Sequence, residues 1–432
     1  MPSLIVSSRR RVLLAGLLAV LPFGSLAGAD GLWTATWSAS LAPPVASDSR
    51  FVNQTLRQIA RISVGGDEVR VRISNEHGTR PLVIGAAHVA IAGAGAAIRP
   101  GTDRVLTFSG RGSVVVPPGK RVVSDPAEFR VAALERLAVS LYFPSPTGPA
   151  TLHRYAQQTA YVSRPGDFTG RASLPVADTS GSWFYLSGVE VGAPRAKPVI
   201  VALGDSLPDG FGSTLNANRR WPDRLAERLA GRRGMPPLGV VNAGYFGNRL
   251  LHEAVLPAPG VIGRVPTVLQ RFSRDVLAQP GARHVIVQAG INDIGLPGLL
   301  GRPGEAVTAA EIIAAYRRLI ARAHARGLEI FGGTLTPFVG ATYGSYGTPE
   351  GEAKRQAVNR WIRTSGAFDA VIDFDAAVRD PRRPERLNPR YDSGDHLHLN
   401  DAGYRAMADA IDLRLFAPGG RAAPGLALAR QR

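Results

Sequence analysis

The 432-residue sequence contains no cysteine. Disulfide scaffolds, thiol nucleophiles, iron–sulfur clusters and Cys-ligated zinc sites are therefore all excluded. Any chemistry that the protein performs has to use oxygen and nitrogen side chains.

Lysine is also scarce, because only Lys120, Lys197 and Lys354 stand among the 51 basic residues. With 34 acidic residues, the formal net charge is +17. The arginines are scattered along the chain, and no recognised nucleic-acid-binding motif accompanies them. This distribution favours a solvated, arginine-rich surface, and we expect no nucleic-acid partner.

Long apolar runs are missing after the first 29 residues. At the N-terminus, Arg9-Arg10-Arg11 precedes an apolar run over 12–27 and a small-residue cleavage site, which predicts a signal peptide at 1–29. The arginine run also fits the twin-arginine pattern. An uncleaved anchor is the less favoured alternative, because Pro22 and Gly24 interrupt a run already short for a bilayer. We expect an exported protein, periplasmic or extracellular, without a stable membrane anchor after cleavage.

Residues 30–192 have the pattern of an all-β domain. Short runs alternate between apolar and polar side chains, as in Glu68–Ser74, Gly112–Val116 and Leu137–Phe143. Period-2 alternation between turn residues is typical of half-buried strands. We predict a β-rich accessory domain of sandwich or jelly-roll-like type.

Residues 193–416 have a different pattern, in which short buried strands alternate with amphipathic helices. This alternation predicts a parallel, doubly wound sheet with helices on both faces. The predicted strands are 199–203, 239–242, 284–288, 328–332 and 370–374, and the predicted helices lie near 219–232, 265–278, 308–326, 350–364 and 401–415. Residues 417–432, rich in Gly, Pro, Ala and Arg, are expected to form a flexible tail.

Polar residues and glycines follow the strands of this second domain in a defined order. Ser206 follows the first strand, Gly247 the second and Asn292 the third, and Asp395 and His398 precede the last helix. Ligands of open α/β sheets bind outside the carboxyl ends of the strands. Taken singly, these positions are also compatible with an ordinary turn, a glycine-rich loop and helix capping. Their order along one sheet indicates a common site.

The loop before the last helix contains two imidazoles. An aspartate three residues before a histidine accepts a hydrogen bond from the ring, which leaves the other ring nitrogen of His398 free to take a proton from Ser206. His396 and His398 also allow the hypothesis of a metal site, because two imidazoles lie close together. No further ligand motif accompanies them, and we expect no metal.

The four blocks resemble those of the SGNH/GDSL hydrolase family: Gly204-Asp205-Ser206, Gly247, Gly290-Ile291-Asn292-Asp293 and Asp395-His396-Leu397-His398. The resemblance covers about 198–415. It implies a flavodoxin-like, three-layer α/β/α fold in which Ser206 is the nucleophile, His398 the general base and acid, and Asp395 its orienting carboxylate. The N–H groups of Ser206 and Gly247 and the Asn292 amide would form the oxyanion hole, without a cofactor. Gly244 competes with Gly247 for the second block.

The N-terminal domain resembles the β-rich domain that precedes the catalytic domain in some secreted bacterial SGNH proteins, without identifying a ligand. Its aromatic residues allow two readings, a sugar-stacking platform or, more commonly, core packing. They are Trp33, Trp37, Tyr155, Trp183 and Tyr185.

These features together predict an exported serine esterase that hydrolyses carboxylic esters of short acyl groups, such as acetyl on a polysaccharide or a small alcohol. The alternatives are an O-acyltransferase that uses the same acyl-enzyme and a non-catalytic carbohydrate-binding protein on a vestigial hydrolase scaffold. Tyr343 and Tyr346, in the glycine-rich segment 336–350, are predicted to bind substrate, with an ordinary mobile loop as the alternative.

Overall fold

The computed structural model describes residues 33–45, 49–255, 264–343 and 345–417. The predicted signal peptide and all but the first residue of the predicted tail lie outside the described residues. Within these ranges, no helix combines the length and the apolar character that a membrane crossing requires.

The first part of the chain is built from antiparallel strands that form two main sheets. The strands are β1 (Trp33–Ser38), β2 (Gln54–Arg61), β3 (Gly66–Ser74), β4 (Leu82–Ile84), β5 (Ala86–Ile91), β6 (Arg104–Val105), β7 (Val114–Val116), β8 (Arg121–Val123), β9 (Ala127–Val131), β10 (Arg136–Phe143), β11 (Leu152–His153), β12 (Ala160–Pro165), β13 (Val176–Ser180), β14 (Trp183–Phe184) and β15 (Leu186–Gly192). One sheet has the order β1-β15-β3-β8, with β9 also pairing with β3, and the other has the order β13-β12-β2-β10-β5-β6. Short pairs, β4 with β7 and β11 with β14, complete the domain.

The alternation in these strands explains the sandwich. In β3 the alternate residues Val69, Val71 and Ile73 enter the core, and the alternate residues of β10 beginning at Leu137 meet them in the same apolar cluster. Successive strand residues point to opposite faces, so each sheet presents one apolar face to the other. The predicted all-β domain is confirmed.

The second part of the chain contains a five-stranded parallel sheet in the order β17-β16-β20-β21-β22. Its strands are β16 (Val199–Gly204), β17 (Gly239–Ala243), β20 (Ala282–Gln288), β21 (Glu329–Gly333) and β22 (Ala370–Ile372), and β18 (Ala254–Val255) and β19 (Arg264–Val265) form a separate hairpin. The helices are α1 (Ser206–Asp209), α2 (Trp221–Ala230), α3 (Val268–Phe272), continued by a π-helical turn (Ser273–Leu277), α4 (Ile291–Leu299), α5 (Ala309–His324), α6 (Pro349–Thr364), α7 (Phe374–Val378) and α8 (Asp401–Asp409), with 3-10 turns at Pro303–Glu305 and Leu413–Phe416.

Helices cover both faces of this sheet. In β16, Val199, Val201 and Leu203 pack into one apolar cluster, and Ile200 and Ala202 pack into another. A strand buried on both faces has a continuous apolar sequence, which is why β16 shows no alternation. The strand order is that of flavodoxin-like folds, as predicted.

Two helices differ from the prediction. The last helix was expected to reach residue 415 but ends at Asp409, where the Arg228 side chain donates to the backbone oxygens of Ala408 and Ile411 and Asp412 caps a new turn. Helix α4 was not predicted at all, because it contains Pro297 and two glycines.

The two domains are joined by hydrogen bonds along β1 and β17. The Ala35 N–H donates to the Pro280 backbone oxygen at 2.9 Å, and the Val240 N–H donates to the Ser63 hydroxyl at 2.8 Å. The Ser38 hydroxyl donates to the Asn242 backbone oxygen at 2.9 Å. The β-domain therefore packs against the edge of the parallel sheet.

Candidate active site

Ser206 lies at the point where β16 turns into α1. A Cβ atom on Gly204 would lie 1.9 Å from the Gln288 backbone oxygen, so only glycine fits there. The Asp205 carboxylate accepts the Leu207 N–H at 3.0 Å and caps the first turn of α1. The first N–H groups of a helix have no acceptor inside it, so the Ser206 N–H can serve a ligand.

A hydrogen-bonded chain joins Ser206 to the loop before α8. Ser206 Oγ lies 2.9 Å from His398 Nε2, and His398 Nδ1 lies 2.6 Å from Asp395 Oδ2. Ser206 and His398 are both buried. An imidazole held between a carboxylate and a hydroxyl can accept the hydroxyl proton and stabilise the resulting charge next to the carboxylate.

The Asp395 carboxylate is kept ionised by its neighbours. Burial alone would raise its pKa, but the hydrogen bond and charge of His398, together with the His398 and Leu397 N–H groups, lower the pKa well below the usual range. The Thr342 N–H donates to the Asp395 backbone oxygen at 3.0 Å, so the glycine-rich segment 336–350 borders this site.

The two glycines of the second block have different environments. The Gly244 N–H donates to Asn242 Oδ1 at 2.8 Å, and a Cβ there would lie 2.4 Å from the Asp209 nitrogen in α1. Gly247 has a φ of 71°, in the left-handed region that favours glycine, and its N–H has no acceptor among the described residues. The free N–H group favours Gly247 over Gly244 as an oxyanion donor.

The Asn292 amide is oriented from both sides. Its Nδ2 donates to the Asn248 backbone oxygen at 3.0 Å, and its Oδ1 accepts the Tyr346 hydroxyl at 2.7 Å. The second Nδ2 hydrogen is left for a ligand. Asn292 lies inside the first turn of α4, and it makes no capping bond, since the cap residue of that helix is Gly290.

A buried arginine, which sequence reasoning missed, ties the strand ends together. Arg271 donates to the backbone oxygens of Gly204 and Ala243 at 2.7 Å each, and to Asn248 Oδ1 at 2.8 Å. Asp275, one turn later, accepts from it at 3.0 Å. The Arg-x-x-x-Asp spacing on a helix is the only sequence signal for this role, and it also fits a surface ion pair.

The family comparison covers the region that carries these contacts. The model of the GDSL-like Lipase/Acylhydrolase family matches residues 202–406. These residues form a GDSL-like lipase/acylhydrolase domain. The polar groups at its strand ends therefore occupy the blocks that the sequence resemblance names.

Several solved structures resemble the GDSL-containing chain. They include the M. smegmatis aryl esterase (15% identity, 49% of this chain and 95% of that chain, TM-score 0.37) and the Enterococcus faecalis lipase/acylhydrolase (17%, 49% and 92%, TM-score 0.36). The acetyl xylan esterase AlAXEase is similar to the same degree (17%, 49% and 96%, TM-score 0.36). No curated protein matches the sequence.

The two tyrosines predicted to bind substrate lie in different positions relative to the candidate active site. The Tyr343 ring is half-buried and stands edge-on to the His398 ring, with centroids 6.3 Å apart. Tyr346 is buried, and its hydroxyl is used by Asn292. Its position differs from the predicted substrate contact, because it supports Asn292 from behind.

His396 is not part of the hydrogen-bonded chain that joins Ser206, His398 and Asp395. Its ring pairs with Asp392, and its side chain is about half exposed. In the part of the chain that the structure describes, no group of three or more His, Asp or Glu side chains is placed to bind a metal ion.

The aromatic residues of the β-domain separate into two groups. Trp33, Trp37, Trp183 and Tyr185 are buried, as core packing requires. Tyr155 is 43% exposed and contacts the GDSL domain.

Proposed function

We propose that this protein is an exported serine esterase that hydrolyses carboxylic esters of short acyl groups. The observation that carries the proposal is the continuous chain from Ser206 Oγ through His398 to Asp395, with separations of 2.9 and 2.6 Å. Export rests on the predicted signal peptide at 1–29.

In the proposed reaction, His398 Nε2 takes the proton of Ser206 as Oγ attacks the ester carbonyl. The Asp395 carboxylate stabilises the imidazolium that forms. The tetrahedral oxyanion accepts hydrogen bonds from the Ser206 and Gly247 N–H groups and the free Asn292 Nδ2 hydrogen. Each such donor is commonly worth about 3–4 kcal/mol of the barrier.

Collapse of this intermediate breaks the bond to the alcohol oxygen, which takes the proton from His398 Nε2. An acyl group remains on Ser206 Oγ. His398 then removes a proton from water as the water oxygen attacks the acyl carbon. The bond between that carbon and Ser206 Oγ breaks, Oγ takes the proton back from His398, and the acid is released. An acetylated polysaccharide is the natural substrate that we favour.

The test is acid release from 4-nitrophenyl esters of two to twelve acyl carbons by residues 30–432. We expect activity that declines with acyl length and is abolished in Ser206→Ala. Ser213→Ala is the matched control, because Ser213 is a buried serine whose hydroxyl donates to the Gly210 backbone oxygen and not to His398. Undiminished turnover by Ser206→Ala would contradict the proposal, and ester formation in the presence of added alcohols would identify acyl transfer.

A further inference from the structure

An exposed aromatic side chain of the β-domain lies beside the candidate active site. Tyr155 follows β11, and its ring centroid lies 4.8 Å from Phe246 and 5.6 Å from Phe211 of the GDSL domain. Phe211 and Phe246 contact each other at 4.6 Å. We call these three residues the aromatic wall.

The aromatic wall continues to His398. Phe211 lies 4.7 Å from the His398 ring, and Phe246 stacks on it with centroids 5.8 Å apart and an interplanar angle of 23°. Both phenylalanines are only half-buried, so ring surface stays open beside the imidazole. Tyr343 of the segment 336–350 also contacts the His398 ring, with centroids 6.3 Å apart.

The position of Tyr155 is held from both sides by contacts with the GDSL domain. Two residues before it, His153 Nε2 lies 2.9 Å from Asp209 Oδ1 at the end of α1, in a buried contact. After it, the Asn216 N–H donates to the Gln157 backbone oxygen at 3.1 Å.

Tyr155 itself has a φ of 54°, which costs free energy for a residue with a Cβ atom. Strained residues of this kind persist where surrounding contacts determine them, and they cluster at functional sites. The contacts of His153 and Gln157 on either side of it hold Tyr155 in this conformation.

The wall lies where the alcohol part of an ester would sit. His398 donates its proton to the leaving alcohol oxygen, so that part of the substrate has to lie beside the His398 ring. Exposed aromatic faces bind flat, apolar ring faces.

We propose that the β-domain completes the active site, because Tyr155, Phe211 and Phe246 form a subsite that stacks the ring of a cyclic alcohol. The substrate class is thus esters of aryl or sugar alcohols. This inference rests on the proposed esterase function.

The experiment compares acetyl esters that differ only in the alcohol: phenyl acetate, an acetylated methyl xyloside and ethyl acetate. All three give the same acyl-enzyme, so kcat/KM measures the acylation step in which the alcohol is present. In Tyr155→Ala we expect kcat/KM to fall about 3- to 10-fold for the ring alcohols, the range of a lost aromatic contact. For ethyl acetate we expect a change within about 2-fold, and Tyr155→Phe should keep the preference because the ring remains.

Two further variants guard against a folding effect. Tyr155→Gly removes the ring and also suits the positive φ, so it should reproduce the loss without strain. Tyr161→Ala, on β12 of the same domain, is the control. For each ring-alcohol ester, the ratio of its kcat/KM to that of ethyl acetate should stay unchanged, because Tyr161 packs on a separate apolar cluster.

A reduced ratio for phenyl acetate alone would support an aryl alcohol, and a reduced ratio for the xyloside alone would support a sugar. An unchanged ratio for both in Tyr155→Ala and Tyr155→Gly would overturn the inference. If Ser206→Ala is inactive in that case, only the subsite is refuted. If Ser206→Ala is active, the esterase proposal itself fails.

Discussion

The hydroxyl of Tyr346 offers the sharpest test of how the candidate oxyanion site is organised. It donates to Asn292 Oδ1 at 2.7 Å, while Asn292 Nδ2 donates to the Asn248 backbone oxygen at 3.0 Å. Tyr346→Phe removes one of these two contacts and leaves Oδ1 buried without a donor. The lost orientation should cost about 1–2 kcal/mol in the transition state, within the range of about 1–3 kcal/mol for a buried polar group that is left without its partner.

This cost corresponds to a fall in kcat/KM of about 5- to 30-fold. Removal of the amide in Asn292→Ala should cost about 10²- to 10³-fold. Both values are measured by steady-state hydrolysis of phenyl acetate, with thermal unfolding of each variant as a check on folding.

The double variant decides whether Tyr346 acts through Asn292. If it does, Tyr346→Phe has no further effect in the Asn292→Ala background. Tyr142→Phe is the matched control, because it removes a tyrosine hydroxyl that donates to an asparagine Oδ1, that of Asn53, at 2.8 Å in the β-domain. The reasoning would be refuted if the two falls in kcat/KM multiplied in the double variant. It would also be refuted if Tyr142→Phe lowered kcat/KM as much as Tyr346→Phe.

Three further predictions concern stability. Burial, with the nearby carboxylates, raises the pKa of Asp205 to about 7. Between about pH 4 and pH 7 the native state therefore binds more protons than the unfolded state, and the free energy of unfolding falls as the pH rises through this range. Asp205→Asn should flatten this decline in urea titrations, and an unaltered pH profile would contradict it. Gly244→Ala brings a Cβ to 2.4 Å from the Asp209 nitrogen and should cost about 1–3 kcal/mol in chemical denaturation, whereas an unchanged midpoint would argue against this packing. His153→Ala leaves a buried Asp209 oxygen without its partner, and we expect a loss of about 2–4 kcal/mol; an unchanged melting temperature would count against the contact.

The architecture could be predicted from the sequence because the burial of a strand determines its pattern of apolar residues. The apolar run of β16 and the alternation in β3 correspond to the sheets that form. Helix α4 has no such pattern, since Pro297 lies inside it and tertiary contacts override its poor helix propensity. The end of α8 depends on Arg228, which is remote in sequence.

The candidate site was predictable where its chemistry lies in short blocks. Ser206, Asn292 and His398 were predicted from such blocks, and the structure places them at the carboxyl ends of the strands. Side-chain direction was not predictable: Tyr343 faces the His398 ring, whereas Tyr346, three residues later, lies behind Asn292. Contacts between the domains could not be predicted either, because no local pattern distinguishes exposed Tyr155 from the buried aromatic residues of its domain.

The most direct test of the proposed mechanism is covalent labelling of residues 30–432 with an aryl phosphonate, followed by peptide mapping by mass spectrometry. An activated serine attacks phosphorus and expels the aryl oxide, so a single phosphonyl adduct should appear on the peptide that contains Ser206. In His398→Ala the labelling rate should fall at least about 10²-fold, because the general base is gone. Ester turnover with the adduct on another residue, or equal labelling in His398→Ala, would contradict the proposed mechanism.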